Sequence, residues 1–253
     1  FGSESLSKMP NAVYFVDQVE NVTGLDLRWL NANQENYYRQ LALRVHNQKF
    51  LNKANTFVLG VSSTRIDLSY FEQQQFKFSQ HASIGPVRLT QSILEMTSGI
   101  TQLLTFASEF INSKLDDFWH MLPPFKQVET LVVLGTSMLN TVFNDAKKTT
   151  VVDKKNLQVL VTDFNYMNDQ EISDKYDLDT KDIWMIYMEA VLVLEIMSHI
   201  GSEYIQISDL TVIDGLVTKD TTAQEDIITA ARGIADRYMV EEKHREIVLE
   251  YAW

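Results

Sequence analysis

Residues 56–70, T-F-V-L-G-V-S-S-T-R-I-D-L-S-Y, admit few conformations. Phe57, Val58 and Leu59 make an apolar run of strand type, and Gly60, Ser62, Ser63 and Thr64 supply a small, hydroxyl-rich turn. Ile66, Leu68 and Tyr70 then alternate with other residues, as one face of a departing strand does. The stretch predicts a β-hairpin. A Gly/Ser/Thr turn between two strands can point backbone N–H groups and hydroxyls at a phosphate. The same composition also makes an ordinary turn, so the residues alone leave both readings open.

The flanking segments predict an α/β domain. Residues 11–23 carry Val13, Phe15, Val16 and Val19 at helical spacing, with Gly24 to end the helix, and residues 25–30 read as a short strand. A helix with Tyr38, Leu41, Ala42 and Val45 precedes the hairpin; a third strand over 75–83 follows it, and a long helical region over about 90–119 is stopped by Pro123-Pro124. Residues 130–134, T-L-V-V-L, form a buried-type strand that Gly135-Thr136-Ser137 turn into a helix, a unit that suits an anion at a helix N-terminus. Residues 147–155 read as a polar loop, 184–199 as a largely buried helix closed by Gly201, and 204–208 as a strand. Residues 221–253 form a further amphipathic helical segment, with Ile227, Ile228, Ala231, Ile234 and Ala235 on its apolar side.

Residues 81–95, H-A-S-I-G-P-V-R-L-T-Q-S-I-L-E, complete an ordered series: strand, S-S-T turn, strand, further strand, S-x-G-x-V-R-L-T, helix. This series resembles the exopolyphosphatase/guanosine pentaphosphate phosphatase (Ppx/GppA) family, which carries D-I-G-G-G-S-T-E followed by L-G-A-V-R-L-T-E. Further matches run in the same order. Asn31-Ala32-Asn33-Gln34-Glu35-Asn36 stands where the family has S-G-x-E-E-A; residues 169–178 resemble S-x-x-E-L-x-x-x-Y-G-L; and residues 209–216, D-L-T-V-I-D-G-L, stand at D-x-x-L-R-E-G-L. The resemblance implies an α/β fold, the ribonuclease H-like lobe of the actin-like ATPase architecture over residues 1–220, with residues 221–253 beginning a helical C-terminal extension. It also implies a first lobe lying before Phe1.

The implied activity is hydrolysis of a terminal phosphoanhydride of polyphosphate or of guanosine penta- or tetraphosphate, with Mg²⁺ as cofactor and a glutamate activating water. Such chemistry asks for a positioned base and preorganised donors. Glu35 matches the base; Gly60, Ser62, Ser63, Thr64, Gly135, Thr136 and Gly215 match the phosphate-binding loops. The residues that carry charge depart from the pattern. Val58 stands at the metal-linked acid, Val61 and Ser62 at the second and third glycines, Arg65 at the terminal glutamate, and Ile213-Asp214 at the Arg-Glu of the third loop. Valine binds no cation, and a branched side chain crowds a phosphate that needs close backbone approach. The reading is therefore a Ppx/GppA-type protein with degenerate loops and weak or lost activity; the alternative is a non-catalytic module that binds a phosphorylated ligand or a partner protein on the same fold.

Composition narrows the rest. With 45% hydrophobic and 22% charged residues among 253, the chain can bury a globular core. A net charge of -12 argues against nucleic acid or an anionic membrane as partner, and basic clusters are confined to Lys147-Lys148 and Lys154-Lys155. No cysteine is present, which fits a cytoplasmic setting, and the histidines at 46, 81, 120, 199 and 244 lack zinc-site spacing, so no metal ligands are assigned. The most apolar run, over 183–196, is broken by Glu189 and Glu195 and falls short of a membrane span. Ile247, Val248, Leu249 and Trp253 leave an apolar face suited to a homodimer.

Overall fold

The computed structural model describes residues 1–51, 55–96, 103–128, 130–135, 138–143 and 149–218, together with His244 and Ile247. The elements run α1 (Glu4–Ser7), α2 (Ala12–Thr23), α3 (Ala32–Asn47), β1 (Asn55–Val61), β2 (Ile66–Glu72), β3 (Gln75–Ala82), α4 (Pro86–Met96) and α5 (Leu103–His120). They continue with β4 (Thr130–Gly135), α6 (Leu139–Phe143), β5 (Thr149–Asp153), α7 (Lys154–Tyr166), α8 (Asp169–Tyr176), α9 (Ile183–Ile200), β6 (Tyr204–Ser208) and α10 (Val212–Leu216).

The strands form one sheet in the order β3-β2-β1-β4-β6-β5. β1, β2 and β3 make an antiparallel meander, β4 and β6 run parallel to β1, and β5 is antiparallel at the far edge. β1 is central and covered on both faces, which is why F-V-L-G-V reads as a continuous apolar run and not as an alternation. One face packs Phe57, Leu59, Val61, Ile66, Leu68, Leu131, Val133, Ile205 and Ile207 against α4, α5, α7 and α9. The other packs Val58, Phe71, Phe76, Val132 and Leu134 against Leu43, Phe50 and Leu51 at the end of α3. Aromatic side chains add to the packing: Phe125 lies edge-on to Phe57, Trp184 edge-on to Tyr187, and Trp119 stacks on His199 at 3.9 Å.

Several expectations change. The strand expected over 25–30 is a single parallel bridge between Gly2 and Trp29, because among the described residues the segment meets no neighbouring strand and Leu25 faces solvent. The polar loop expected over 147–155 contains β5, which pairs with β6, and Lys154 already opens α7 behind the N-cap Asp153, whose side chain accepts from Asn156 N at 2.7 Å. The long helix begins at Pro86, a favoured first-turn proline, and its described parts are α4 and α5. α2 forms where expected, yet it stands away from the core: Val13 is 77% and Val22 79% exposed. α9 is long and apolar enough by length and composition to cross a membrane, contrary to the sequence reading; it lies in the main core, with Glu189 fully buried. Residues 221–253 lie outside the described residues, apart from His244 and the exposed Ile247.

Candidate functional site

α3 crosses the second sheet face, and its inward stripe at Glu35, Asn36, Arg39, Gln40 and Leu43 follows helical spacing. At one end the stripe is apolar, with Leu43 in the core. In the middle it is amide and hydroxyl: Asn36 Nδ2 donates to Ser79 Oγ at 3.0 Å, Gln40 Nε2 donates to Ser69 Oγ at 2.7 Å, and the two serine hydroxyls are 2.9 Å apart. At the hairpin end it is ionic. Antiparallel register sets Asp67 opposite Gly60, so Asp67 points into the same face as α3.

There the charges link into a closed circuit. Glu35 Oε1 accepts from the Glu4 backbone N at 2.7 Å, and Glu35 Oε2 faces Arg39 Nη2 at 3.6 Å. Arg39 Nη1 lies 3.7 Å from Asp67 Oδ2; Asp67 takes both Nε and Nη2 of Arg65; Arg65 Nη1 donates to Glu4 Oε2 at 3.2 Å; and Glu4 Oε1 meets Lys8 Nζ at 2.6 Å. Burial pushes the Asp67 carboxyl up while Arg65 and Arg39 pull it back. Burial likewise lowers Arg39, opposed by Asp67 and then Glu35. The Glu4 carboxyl is held below its usual range chiefly by the hydrogen bond from Lys8.

The residues expected to bind phosphate are brought near this cluster and are engaged by the chain itself. Gly60 is a buried strand residue; a Cβ there would sit 3.6 Å from Arg39 Nη1. Ser62 donates through both its N and its Oγ to Arg65 O at 3.0 Å, closing the hairpin. Ser63 O accepts from Val87 N at 3.1 Å and Arg88 N at 3.3 Å, so a backbone carbonyl occupies the start of α4. Gly85 lets the turn come that close, since a Cβ there would be 2.3 Å from Ser62 O. Thr64 is exposed. Gly135 adopts φ +99° and leaves no room for a side chain, with Val61 O 2.6 Å from a Cβ placed there. Thr136 lies outside the described residues. Gly215 is far from open: a Cβ there would fall 1.9 Å from Tyr38 O, which makes it the point where α10 seats on α3. Arg88, in the V-R-L-T stretch, ties the hairpin turn to α4 through its backbone N, and the residue is exposed.

Mg²⁺ does not fit this donor set. Val58, at the position of the metal-linked acid, is buried among apolar side chains, and the carboxylates of Asp67, Glu35 and Glu4 already hold guanidinium groups. Among the described residues no three His, Asp or Glu side chains group as metal ligands. The sequence reading singled out Glu35 but missed Arg39 and Asp67. Two signals were present: Glu35 and Arg39 are spaced i, i+4 on a helix, and Arg65 and Asp67 are spaced i, i+2 on one strand face.

Comparison with known proteins agrees with this architecture. The sequence profile described as the Ppx/GppA phosphatase family matches residues 1–223. The fold is similar to that of an Aquifex aeolicus Ppx/GppA family member, with a TM-score of 0.69 at 16% identity over 89% of this chain and 72% of that one. It is also similar to an exopolyphosphatase from Cytophaga hutchinsonii, with a TM-score of 0.69 at 10% identity over 85% of this chain and 72% of that one. No curated protein matches the sequence. These neighbours have the actin-like ATPase fold, and the meander continued by parallel strands is shared with them. The chain belongs to the Ppx/GppA phosphatase family.

Proposed function

We propose that this protein is an exopolyphosphatase-type or guanosine pentaphosphate phosphohydrolase-type member of its family whose hydrolytic step is weak or lost. Its ligand class would be a phosphoanhydride, either polyphosphate or a guanosine penta- or tetraphosphate, met in the cytoplasm. The observation that carries this is the state of Glu35. One oxygen accepts from the Glu4 backbone and the other faces Arg39, so a water seeking a general base must compete with both. Arg65 in place of an acid, and Val58 in place of another, remove further charge from the catalytic pattern. Losing preorganised electrostatic stabilisation raises a barrier by about 3 kcal/mol for each donor removed.

A non-catalytic interaction module is the second reading. The exposed Val13, Tyr14, Val22 and Leu25 on and beside α2 favour it, since clustered apolar groups at a surface mark contact sites. Calorimetric titration with tripolyphosphate and with guanosine pentaphosphate separates the two. Saturable binding weakened in Arg65→Gln supports a phosphate-ligand protein; absence of binding by the folded protein at millimolar ligand supports the interaction module.

A further inference from the structure

Arg39 sits between two carboxylates as a metal ion would. Its guanidinium is 3.6 Å from Glu35 Oε2 and 3.7 Å from Asp67 Oδ2, and the three side chains are 8%, 11% and 3% exposed in the order Arg39, Glu35, Asp67. Hard divalent cations are held by carboxylate oxygens of this kind. The remaining Asp67 valence goes to Arg65, which passes the charge on to Glu4 and Lys8. Lys8, Arg39 and Arg65 balance Glu4, Glu35 and Asp67, so the circuit is neutral without an added ion. The guanidinium lies against the backbone of Gly60, where a Cβ would stand 3.6 Å from Arg39 Nη1, an ordinary packing distance. Arg39 Nε is buried and has no hydrogen-bond partner, and it lies 3.5 Å from where a Cβ of Gly135, the last residue of β4, would stand.

We propose that Arg39, backed by Arg65, is the resident cation of this site: it takes the place of a divalent metal between Glu35 and Asp67 and closes the site to Mg²⁺. An oxyanion that enters meets the free Arg39 Nε–H directly, so its binding is independent of metal. The inference rests on the reading that a phosphate-bearing ligand approaches this face, yet the cation assignment can be tested without any such ligand. Removing both guanidinium groups leaves the Glu35 and Asp67 carboxylates without the cation between them while Glu4 keeps Lys8, and the vacated pair should recruit a divalent ion and be stabilised by it.

The test is Mn²⁺ titration followed by electron paramagnetic resonance and by thermal unfolding, on the wild type, Arg39→Met/Arg65→Gln, and that pair with Asp67→Asn added. The wild type should leave the Mn²⁺ spectrum that of the free ion and its Tm unmoved. The double variant should bind Mn²⁺ stoichiometrically and gain about 3 °C or more in Tm, and Asp67→Asn should abolish both effects. Specific Mn²⁺ uptake by the wild type, or none by a folded double variant, overturns the proposal. Should the double variant stay unfolded with and without Mn²⁺, tripolyphosphate binding to the wild type decides. Equal affinity in chelator and in Mn²⁺ supports the proposal, and a requirement for Mn²⁺ overturns it. If tripolyphosphate does not bind the wild type at all, the functional reading fails, and the wild-type Mn²⁺ spectrum alone then decides the cation assignment.

Discussion

Asp67 shows how one residue can decide the behaviour of a site. It is almost fully buried and serves both Arg39 and Arg65, so its loss takes one of two carboxylate partners from each. Removing one partner of a buried ion pair costs about 3–5 kcal/mol, and Asp67→Ala should lower the urea midpoint accordingly with the m-value unchanged. Restoring an acid at Val58 will not rebuild a metal site. Its side chain packs beside Leu43, Phe50 and Val132, so Val58→Asp should unfold the protein more readily and gain no Mn²⁺ affinity. Glu4 contributes to the pH dependence at this site. Its folded carboxyl lies below its unfolded value of 4.5, so the unfolded state binds the proton first as pH falls. The stabilisation is therefore complete above that value and lost as pH drops through the lowered folded one. Glu4→Gln should make the acid limb of a stability-versus-pH curve shallower below about pH 4.5, the other lowered carboxyls keeping the rest of its slope, and leave its neutral region nearly parallel to wild type.

Elements differ in how openly the sequence announces them. β1, β2 and β4 were legible because their apolar content reflects burial on two faces, whereas the edge strand β3 buries only alternate residues such as Phe76 and Phe78; α8 was found by motif, and the structure adds a capping box between Asn168 and Glu171. β5 was hidden: it is short, set among lysines, and half its valines face out, with Val151 62% exposed while Val152 is buried. α2 misled in the other direction, since helical spacing of apolar residues gives the helix but not what covers it. The charge circuit was half legible. Glu35 could be found by motif, whereas Arg39 becomes visible only once register sets Asp67 opposite Gly60. Two substitutions test the element-level account. Gly215→Ala would drive a methyl into Tyr38 O, so α10 should detach from α3, seen as faster amide exchange in residues 212–218 and a lower Tm. The β2–β3 turn places Gln73 and Gln74 at φ 49° and 68°, the left-handed pair that a two-residue hairpin wants from Asn-Gly. Gln73→Asn with Gln74→Gly should raise stability by about 1 kcal/mol in urea unfolding.

At the scale of the molecule, the family's scaffold persists while its charged groups satisfy one another. Of the glycines that approach a phosphate in the motif pattern, Gly60 here lies against the Arg39 guanidinium, Gly135 admits a carbonyl contact and Gly215 admits a helix. A carbonyl, Ser63 O, fills the start of α4, and the Glu189 carboxylate accepts from Met138 N at 2.7 Å beside α6. A site arranged in this way is stable as it stands and offers little unbalanced charge to a polyanion on a chain whose net charge is already -12. The most direct measurement is phosphate release from long-chain polyphosphate and from guanosine pentaphosphate, in Mg²⁺ and in chelator, by the wild type and by Glu35→Gln. The account predicts release at the level of the protein-free control in every one of these conditions, or a slow release that neither chelator nor Glu35→Gln alters. Mg²⁺-dependent release that disappears in Glu35→Gln would contradict it, and would show that Glu35 leaves its partners to act as a base.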